Sequence, residues 1–147
     1  MAASAWRVYN EAKQKMLNGT IDLDAATLRM RLYKSTSNAS TFTLSTAASI
    51  TNQVTTNVKG GGTKSLTASM VVGANASTYK FTFANVVFST SGGDITSIMY
   101  ALIYVSGGAA ICWSKLSTAI FTVTNGNTLT IAANATGGAF TISGGTA

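Results

Sequence analysis

The sequence predicts an all-β fold, an antiparallel β-sandwich with a jelly-roll-like or Greek-key arrangement, preceded by one short N-terminal α-helix. After residue 19 the chain consists of short runs rich in Thr, Val, Ile and aromatic residues, which are typical of strands. Glycine and asparagine turns separate these runs at intervals that suit a sandwich or barrel. Residues 1–147 are therefore expected to form a single domain, with the helix over 4–18 and the sandwich over 20–147.

The helix is predicted from Ala5 to Leu17, because apolar side chains recur there at spacings of three and four. This stripe consists of Trp6, Tyr9, Ala12 and Met16. Ser4 is expected to cap the first turn, and Asn18-Gly19 to end the helix. Glu11 and Lys15 form an i, i+4 pair in the favourable order. So short a helix is marginal alone, so its stripe must pack against the β-body or against another subunit.

Ten runs in the rest of the chain are predicted to be strands. They are Thr20 to Asp24, Thr27 to Lys34, Gln53 to Asn57, Lys64 to Val72, Thr78 to Phe88, Ile95 to Val105, Ala109 to Ser114, Ala119 to Thr124, Thr128 to Ala132 and Ala139 to Ile142. The strongest hairpin signal is Asn125-Gly126 between two of these runs.

The most apolar run, IMYALIYV from Ile98 to Val105, is too short for a membrane helix, which needs roughly 20 apolar residues. Its Ile, Tyr and Val content favours a strand buried on both faces. Gly107-Gly108 is expected to turn the chain into a second strand, so that the two form a central hairpin. Residues 35–49, rich in Ser, Thr and Asn, are expected to form a long exposed loop.

Basic residues outnumber acidic ones by ten to four, a net charge of +6, but no run of them occurs. Arg29, Arg31 and Lys34 form the one cluster. On a strand Arg29 and Arg31 share a face opposite Leu28, Met30 and Leu32, which suits a solvated outer face. Contact with a phosphate or an acidic partner is the alternative.

The residue types that most catalytic and metal sites require are scarce. The chain has no histidine, which removes hydrolytic triads and most metal sites. Asp22 and Asp24 would share a strand face, but nothing nearby supplies the six to eight oxygens of a calcium site. The stretch from Gly60 to Ser65 does not have glycine at the two positions that a phosphate loop requires, and it precedes a strand where the motif needs a helix. No catalytic residue, cofactor or metal is therefore predicted.

Two further features bear on the compartment. Cys112 is the single cysteine and lies between Ile111 and Trp113, so it is expected to be a buried, unpaired thiol. The N-terminal MAASAWRVYN lacks the basic and apolar regions of a signal peptide. We expect synthesis and retention in a reducing cytoplasm.

The series SAWRVYNEAKQKMLNGTIDLD, LRMRLYKSTSNAST, SGGDITSIMYALIYVSG and CWSKLST, spread from Ala5 to about Phe140, resembles small virion-associated proteins of tailed bacteriophages. The resemblance implies a structural protein of the virion, assembled in the host cytoplasm, that has no small-molecule substrate and no membrane partner. With the low charge of the chain, it favours a capsid cement or decoration protein that binds the major capsid protein across capsomer seams. We expect a homo-oligomer, and a trimer would match the threefold positions of an icosahedral shell.

The residues expected to contact the capsid or another subunit lie in the N-terminal segment, since Trp, Tyr, Met and Arg are enriched at interface cores. They are Trp6, Arg7, Tyr9, Lys13 and Met16. Arg29, Arg31 and Lys34 are the second choice, as a basic face toward an acidic shell. Alternatively, the helical stripe covers an open end of its own sandwich. Deletion of residues 1–17 is expected to leave a folded β-body that binds the particle weakly.

Three other functions remain open. A tail, connector or fibre-associated virion protein would have a similar low-charge β-sequence. A single-stranded nucleic-acid-binding protein would use the positive charge and stack bases on Trp6, Tyr9, Tyr100, Tyr104 and Trp113. Packing in the core or at a subunit contact is the alternative role of these residues. A carbohydrate-binding module would also need exposed aromatic residues. The scattered basic residues argue against nucleic acid as a partner.

Overall fold

A computed structural model shows a mostly β fold with antiparallel sheets and one short helix, as predicted, and describes residues 3–73 and 77–143. The helix α1 spans Asn10–Leu17. The strands are β1 (Arg7–Val8), β2 (Leu28–Lys34), β3 (Thr63–Ser65), β4 (Ala68–Val72), β5 (Thr78–Phe83), β6 (Val86–Ser89), β7 (Ile95–Val105), β8 (Ala110–Lys115), β9 (Phe121–Val123), β10 (Thr128–Ile131) and β11 (Phe140–Ser143).

Six strands form the main sheet, in the order β1-β8-β7-β2-β3, with β9 pairing a further part of β7. The predicted central hairpin is confirmed, since β7 and β8 pair antiparallel through Gly107-Gly108. The run from Ile98 to Val105 lies within β7, where it is almost wholly buried. Flanking strands and packing on both faces of the sheet bury this run. Within the described ranges, no helix is long and apolar enough to cross a bilayer.

Two smaller sheets complete the fold, one with the strand order β11-β5-β4 and one that pairs β10 with β6. Alternation along β5 places Phe81 and Phe83 in the core. The ring of Trp6 contacts Phe83 edge-on, with 5.6 Å between the ring centroids. Apolar side chains from all three sheets belong to one core cluster, so the small sheets and the main sheet share one interior.

The N-terminal segment differs from the prediction, because α1 begins at Asn10 and not at Ala5. Arg7 and Val8 instead form the edge strand β1 on β8. Ser4 does not cap a helix: its backbone N–H donates to the Lys115 carbonyl at 2.7 Å, and its hydroxyl accepts the Lys115 N–H at 3.0 Å. Pairing with β8 satisfies the edge of the main sheet, which a helix over the same residues would leave open.

Two predicted strands are absent from the described residues, and two others are divided. Residues 20–24 form a turn in which the Asp22 carboxylate accepts the N–H of Asp24 at 3.0 Å. Residues 53–57 make one isolated bridge, between Gln53 and Tyr33. The predicted strands over 64–72 and 78–88 each break into two, at residues 66–67 and 84–85, where the chain passes between sheets.

Residues 35–54 form a loop, as predicted for its first part, but this loop packs across the main sheet. It leaves the end of β2 and reaches the start of β8, where Ala47 donates to Gly108 in the preceding turn at 3.1 Å and Ala110 donates to Ser45 at 3.1 Å. It then returns to β2, where Val54 donates to Leu32 at 2.9 Å. We call residues 35–54 the covering loop. The Asn38 side chain joins its two passes: the amide donates to the Ser49 carbonyl at 3.1 Å and accepts the Thr51 N–H at 2.9 Å.

Candidate interaction surfaces

The predicted contact residues of the N-terminal segment divide between the core and the surface. Tyr9 is fully buried, and its hydroxyl donates a hydrogen bond to the Ala39 carbonyl of the covering loop. Trp6 and Met16 are half-buried against the core. Tyr9 is therefore wrong as a contact residue, because the chain itself encloses its side chain. Much of the apolar stripe covers the protein's own β-body, as expected if the stripe packs on its own chain and not on a partner.

Lys13 of the predicted set does lie on the solvent side of α1. It shares that side with Asn10, Gln14 and Leu17, which follow the helical repeat and are all exposed. Leu17 is 88% exposed at the end of the helix. We call these four residues the outer helix face. Beside it, Lys15 and Glu11 form the predicted ion pair at 2.7 Å, which lowers the pKa of the Glu11 carboxyl through the hydrogen bond from Lys15.

A row of paired residues on one face of the main sheet carries two of the predicted arginines. Register pairing places Arg7, Trp113, Leu102, Arg31 and Thr63 side by side across five strands. The Arg7 guanidinium lies 5.8 Å from the Trp113 ring centroid, and that of Arg31 lies 4.4 Å from the ring centroid of Tyr104. Both geometries are within the range of cation–π contacts, so each arginine has an aromatic support.

Arg29 and Arg31 share a face of β2, as predicted, while Leu28, Met30 and Leu32 are buried on the other. The Arg31 Nε donates to the Thr63 hydroxyl at 3.2 Å. Lys34 follows a register shift after Tyr33 and lies at the end of the strand. Lys15 and Glu11 form the one ion pair among residues 3–73 and 77–143, so neither arginine has a carboxylate partner there.

The aromatic residues of the main sheet are not available to stack on bases or sugars. Tyr100, Tyr104 and Trp113 are 9%, 3% and 6% exposed. Phe42 from the covering loop lies against Trp113, with 5.9 Å between centroids. A base needs an open ring face for stacking, and these rings are enclosed by the protein. The structure therefore gives no support to the base-stacking or sugar-stacking role of these residues.

Burial also fixes the protonation of three groups near the covering loop. It raises the pKa of the Tyr9 hydroxyl and of the Cys112 thiol far above their ordinary values. It also raises the pKa of Tyr33, although the neighbouring Arg31 guanidinium opposes the shift. Desolvation disfavours the anionic form of each group. Cys112 is a buried free thiol, as predicted, and it remains protonated near neutral pH.

A cleft of about 1000 Å³ lies between the N-terminal segment and the strands β9, β10 and β11. Trp6, Phe121, Leu129 and Phe140 contribute its apolar wall. Its described lining contains no charged side chain, and its polar residues include Ser114, Thr130 and Asn134. The cleft therefore combines an apolar wall with uncharged polar groups.

Two of the aspartates accept hydrogen bonds in turns. Asp22 closes the turn before β2, and Asp94 accepts the N–H of Asn125 at 2.8 Å in the turn between β9 and β10. Asp22 and Asp24 do not share a strand face, because no strand forms there. No group of three potential metal ligands occurs in the part of the chain that the structure describes.

One surface was missed by sequence reasoning: the outer end of the three-stranded sheet. Val72, Tyr79 and Ile142 pair side by side across β4, β5 and β11, and each is a little over half exposed, at 54%, 53% and 52%. We call these three residues the apolar row. The spacing of Tyr79 and Phe81 on one face was visible in the sequence, but nothing there showed that this end of the sheet is exposed.

Comparison of the chain with protein-family models, with curated proteins and with solved structures finds no match.

Proposed function

We propose that this chain is a structural protein of a tailed-bacteriophage virion, a cement or decoration protein that binds the major capsid protein across capsomer seams and stabilises the head. The motif series from Ala5 to Phe140 supports the phage assignment through its resemblance to virion-associated proteins. The protein would reach the virion after synthesis in the host cytoplasm and act there as a homo-oligomer.

The observation that carries the proposal is a weakly charged surface with many exposed apolar side chains. Within the described ranges, eight large apolar side chains are exposed: Leu17, Phe42, Val71, Val72, Tyr79, Val87, Ile120 and Ile142. The whole chain has ten basic and four acidic residues. Monomers that remain free in solution usually carry more charge and fewer apolar patches, so this surface favours contact with other proteins.

A cement protein of this size works by adding contacts that must break before the shell opens. One protomer needs to bury only about 800 Å² on its side to form an interface of standard size. When an oligomer engages two or three capsomers, the second contact forms at a high effective concentration, so the linked contacts hold far better than one. This arrangement needs a rigid body with separate contact surfaces and no catalytic group.

We propose the outer helix face as the surface that meets the capsid. It keeps Lys13 from the predicted contact set and adds Leu17, the most exposed large apolar side chain that the structure describes. Trp6, Tyr9 and Met16 support this surface from beneath, since they anchor the N-terminal segment to the β-body. Arg29 and Arg31, which have no carboxylate partner in the described residues, are the second surface for an acidic partner.

The copy number of the protein in purified particles tests the proposal. Quantitative mass spectrometry or gel densitometry on particles of the encoding phage compares this chain with the major capsid protein. We expect a ratio near one copy per capsid subunit, because a cement protein covers the lattice. A ratio of a few per cent would instead assign the chain to the tail, connector or fibres, and absence from the particle would overturn the virion assignment.

A further inference from the structure

We propose that two copies of this chain associate through the free edge of β4, which pairs antiparallel with β4 of the second copy. β4 spans Ala68–Val72 and pairs only with β5 among the described residues. It is the longest described strand with a partner on one side only. The inference concerns association in solution and does not depend on the proposed role in the virion.

The hydrogen-bond pattern determines which groups of β4 point outward. Gly73 donates to the Thr78 carbonyl at 2.7 Å, and Ala84 donates to the Thr67 carbonyl at 2.9 Å. In an antiparallel ladder the bonded pairs alternate, so Ser69 and Val71 also bond inward to β5. The N–H and C=O groups of the alternate residues therefore point to the outer edge. These residues are Ala68, Met70 and Val72.

This edge lacks the features by which proteins prevent edge strands from pairing. The sequence ASMVV has no charged residue and no proline, and the register of β4 with β5 shows no bulge. Short strands, lysines, prolines and bulges are the usual protection. By contrast, the edge strand β3 is only three residues long and includes Lys64. A regular, uncharged edge such as β4 is a template for another strand.

The strand is also complementary to itself. Two copies related by a twofold axis at Met70 place Ala68 opposite Val72 of the second copy and Ser69 opposite Val71 of the second copy. In each strand, three residues have N–H and C=O groups that point outward, and these groups then face those of the other strand. This arrangement allows up to six backbone hydrogen bonds. No pair brings like charges together, and Met70 packs beside Met70 of the second copy.

Association would extend an apolar surface that is already continuous with the core. On one face of the three-stranded sheet, Phe81 is buried and stacks on Phe140, with 5.1 Å between centroids. The same face continues outward to the apolar row of Val72, Tyr79 and Ile142. Pairing through β4 joins the two three-stranded sheets into one six-stranded sheet and places the apolar rows of both copies on the same face.

Sedimentation equilibrium of the purified full-length chain over a range of concentrations tests this pairing. We expect a monomer–dimer equilibrium. Val72→Pro removes an outward N–H while leaving the bonds to β5, and prolines are tolerated at such edge positions. Ser69→Lys adds a charge at an exposed position of the same edge. Both variants should sediment as monomers at concentrations where the parent chain is a dimer, with unchanged circular dichroism.

Thr141→Lys is the matched control, because it adds the same charge to an exposed residue of the opposite edge strand, β11. It should remain dimeric. Hydrogen exchange gives a second readout: the amides of Met70 and Val72 should exchange more slowly as the concentration rises, while those of Ser69 and Val71 do not change. A parent chain that stays monomeric, a trimer, or a dimer that Val72→Pro and Ser69→Lys leave intact would overturn the proposal.

Discussion

At the scale of single residues, the Tyr9 hydroxyl links the N-terminal segment to the covering loop. Its side chain is fully buried, and it donates to the Ala39 carbonyl, whose residue is also fully buried. Tyr9→Phe removes the donor and leaves that carbonyl without this bond. An unsatisfied buried acceptor costs about 1 to 3 kcal/mol, so the free energy of unfolding should fall by about that amount.

Chemical denaturation of both proteins measures this change. Tyr79→Phe is the control, because the Tyr79 side chain is 53% exposed and water can satisfy its hydroxyl. We expect the control to leave the denaturation midpoint unchanged. Equal effects of the two substitutions would show that the buried hydrogen bond of Tyr9 has no special contribution.

The buried ionisable groups predict loss of stability at alkaline pH. Burial raises the pKa of Tyr9, Tyr33 and Cys112 above their ordinary values of 10.0, 10.0 and 9.0. The folded chain therefore keeps protons that the unfolded chain releases. This contribution to stability is complete below about pH 9 and declines as the pH rises beyond the ordinary values.

Urea unfolding at successive pH values from neutral to strongly alkaline tests the sign of this effect. We expect a constant midpoint up to about pH 9 and a falling midpoint above it. A double variant, Tyr9→Phe with Cys112→Ala, removes two of the three groups and should reduce the slope. A midpoint that rises with pH, or a slope that the double variant does not change, would contradict the assignment.

At the scale of elements, the sequence predicted an exposed loop over residues 35–49, and these residues instead belong to the covering loop, which packs on the main sheet. Its composition of Ser, Thr and Asn correctly predicted a loop over most of residues 35–49, which ends in a short 3-10 helix at Ala47–Ser49. Ala39, Ala47 and Ile50 of this loop are nevertheless buried. Apolar positions are too few and too irregularly spaced in this segment to predict packing, which depends on hydrogen bonds to distant strands such as those from Ala47 and Val54.

Asn38 is the residue whose removal should loosen the covering loop. Its side chain joins residues 11 and 13 positions away, at Ser49 and Thr51. Asn38→Ala removes these bonds and the one that its amide oxygen accepts from the Thr51 hydroxyl at 3.3 Å. We therefore expect a loss of stability of about 1 kcal/mol and faster hydrogen exchange in residues 35–54. Asn18→Ala, which removes a bond only to the nearby Thr20 N–H, is the control. Unchanged exchange in the Asn38 variant would show that packing alone holds the loop.

The N-terminal segment shows why the helical spacing of apolar residues placed the start of the helix too early. Trp6 and Tyr9 fit a helical stripe, but Trp6 and Val8 also fit the alternation of a strand. The short segment 5–8 was compatible with both patterns. The open edge of β8 decided between them, and an edge formed by residues more than 100 positions away is not visible in local sequence. From Asn10 onward only the helical pattern remained, and there the prediction was correct.

At the scale of the whole molecule, the fold class and most strands could be predicted, while the arrangement of surfaces could not. Alternation and turn residues are local, so β2 and β7 were located to within a residue of their ends. Which strands become edges depends on pairing across the chain. The free edge of β4 and the exposure of Val72 were therefore hidden, and the predicted contact residue Tyr9 was found in the core.

The structure changes one expectation, namely that deletion of residues 1–17 leaves a folded β-body. That segment supplies β1 on the edge of the main sheet and the buried side chains of Tyr9 and Ala12. Deletion would open the β8 edge and uncover the core, so the truncated chain should be destabilised and cannot test capsid binding separately from folding. Surface substitutions on the outer helix face can test capsid binding without disturbing folding.

Capsid docking by the outer helix face predicts that Leu17→Asp and Lys13→Glu weaken binding without unfolding the protein. Leu17 is exposed and contributes nothing to the core, so its replacement should leave the unfolding midpoint unchanged. Loss of an interface contact of this kind costs about 1 to 2 kcal/mol, which is roughly a 5- to 30-fold weaker affinity. Cosedimentation with particles that lack the protein measures the bound fraction.

Ile120→Asp and Lys59→Glu are the matched controls, because they make the same changes at exposed positions far along the chain from α1. They should bind as the parent does. If the controls lose binding and the Leu17 and Lys13 variants do not, the capsid contact lies on another surface while the virion role stands. If the parent chain itself does not sediment with the particles, the cement role fails, and the β4 pairing can still be judged from its own sedimentation equilibrium.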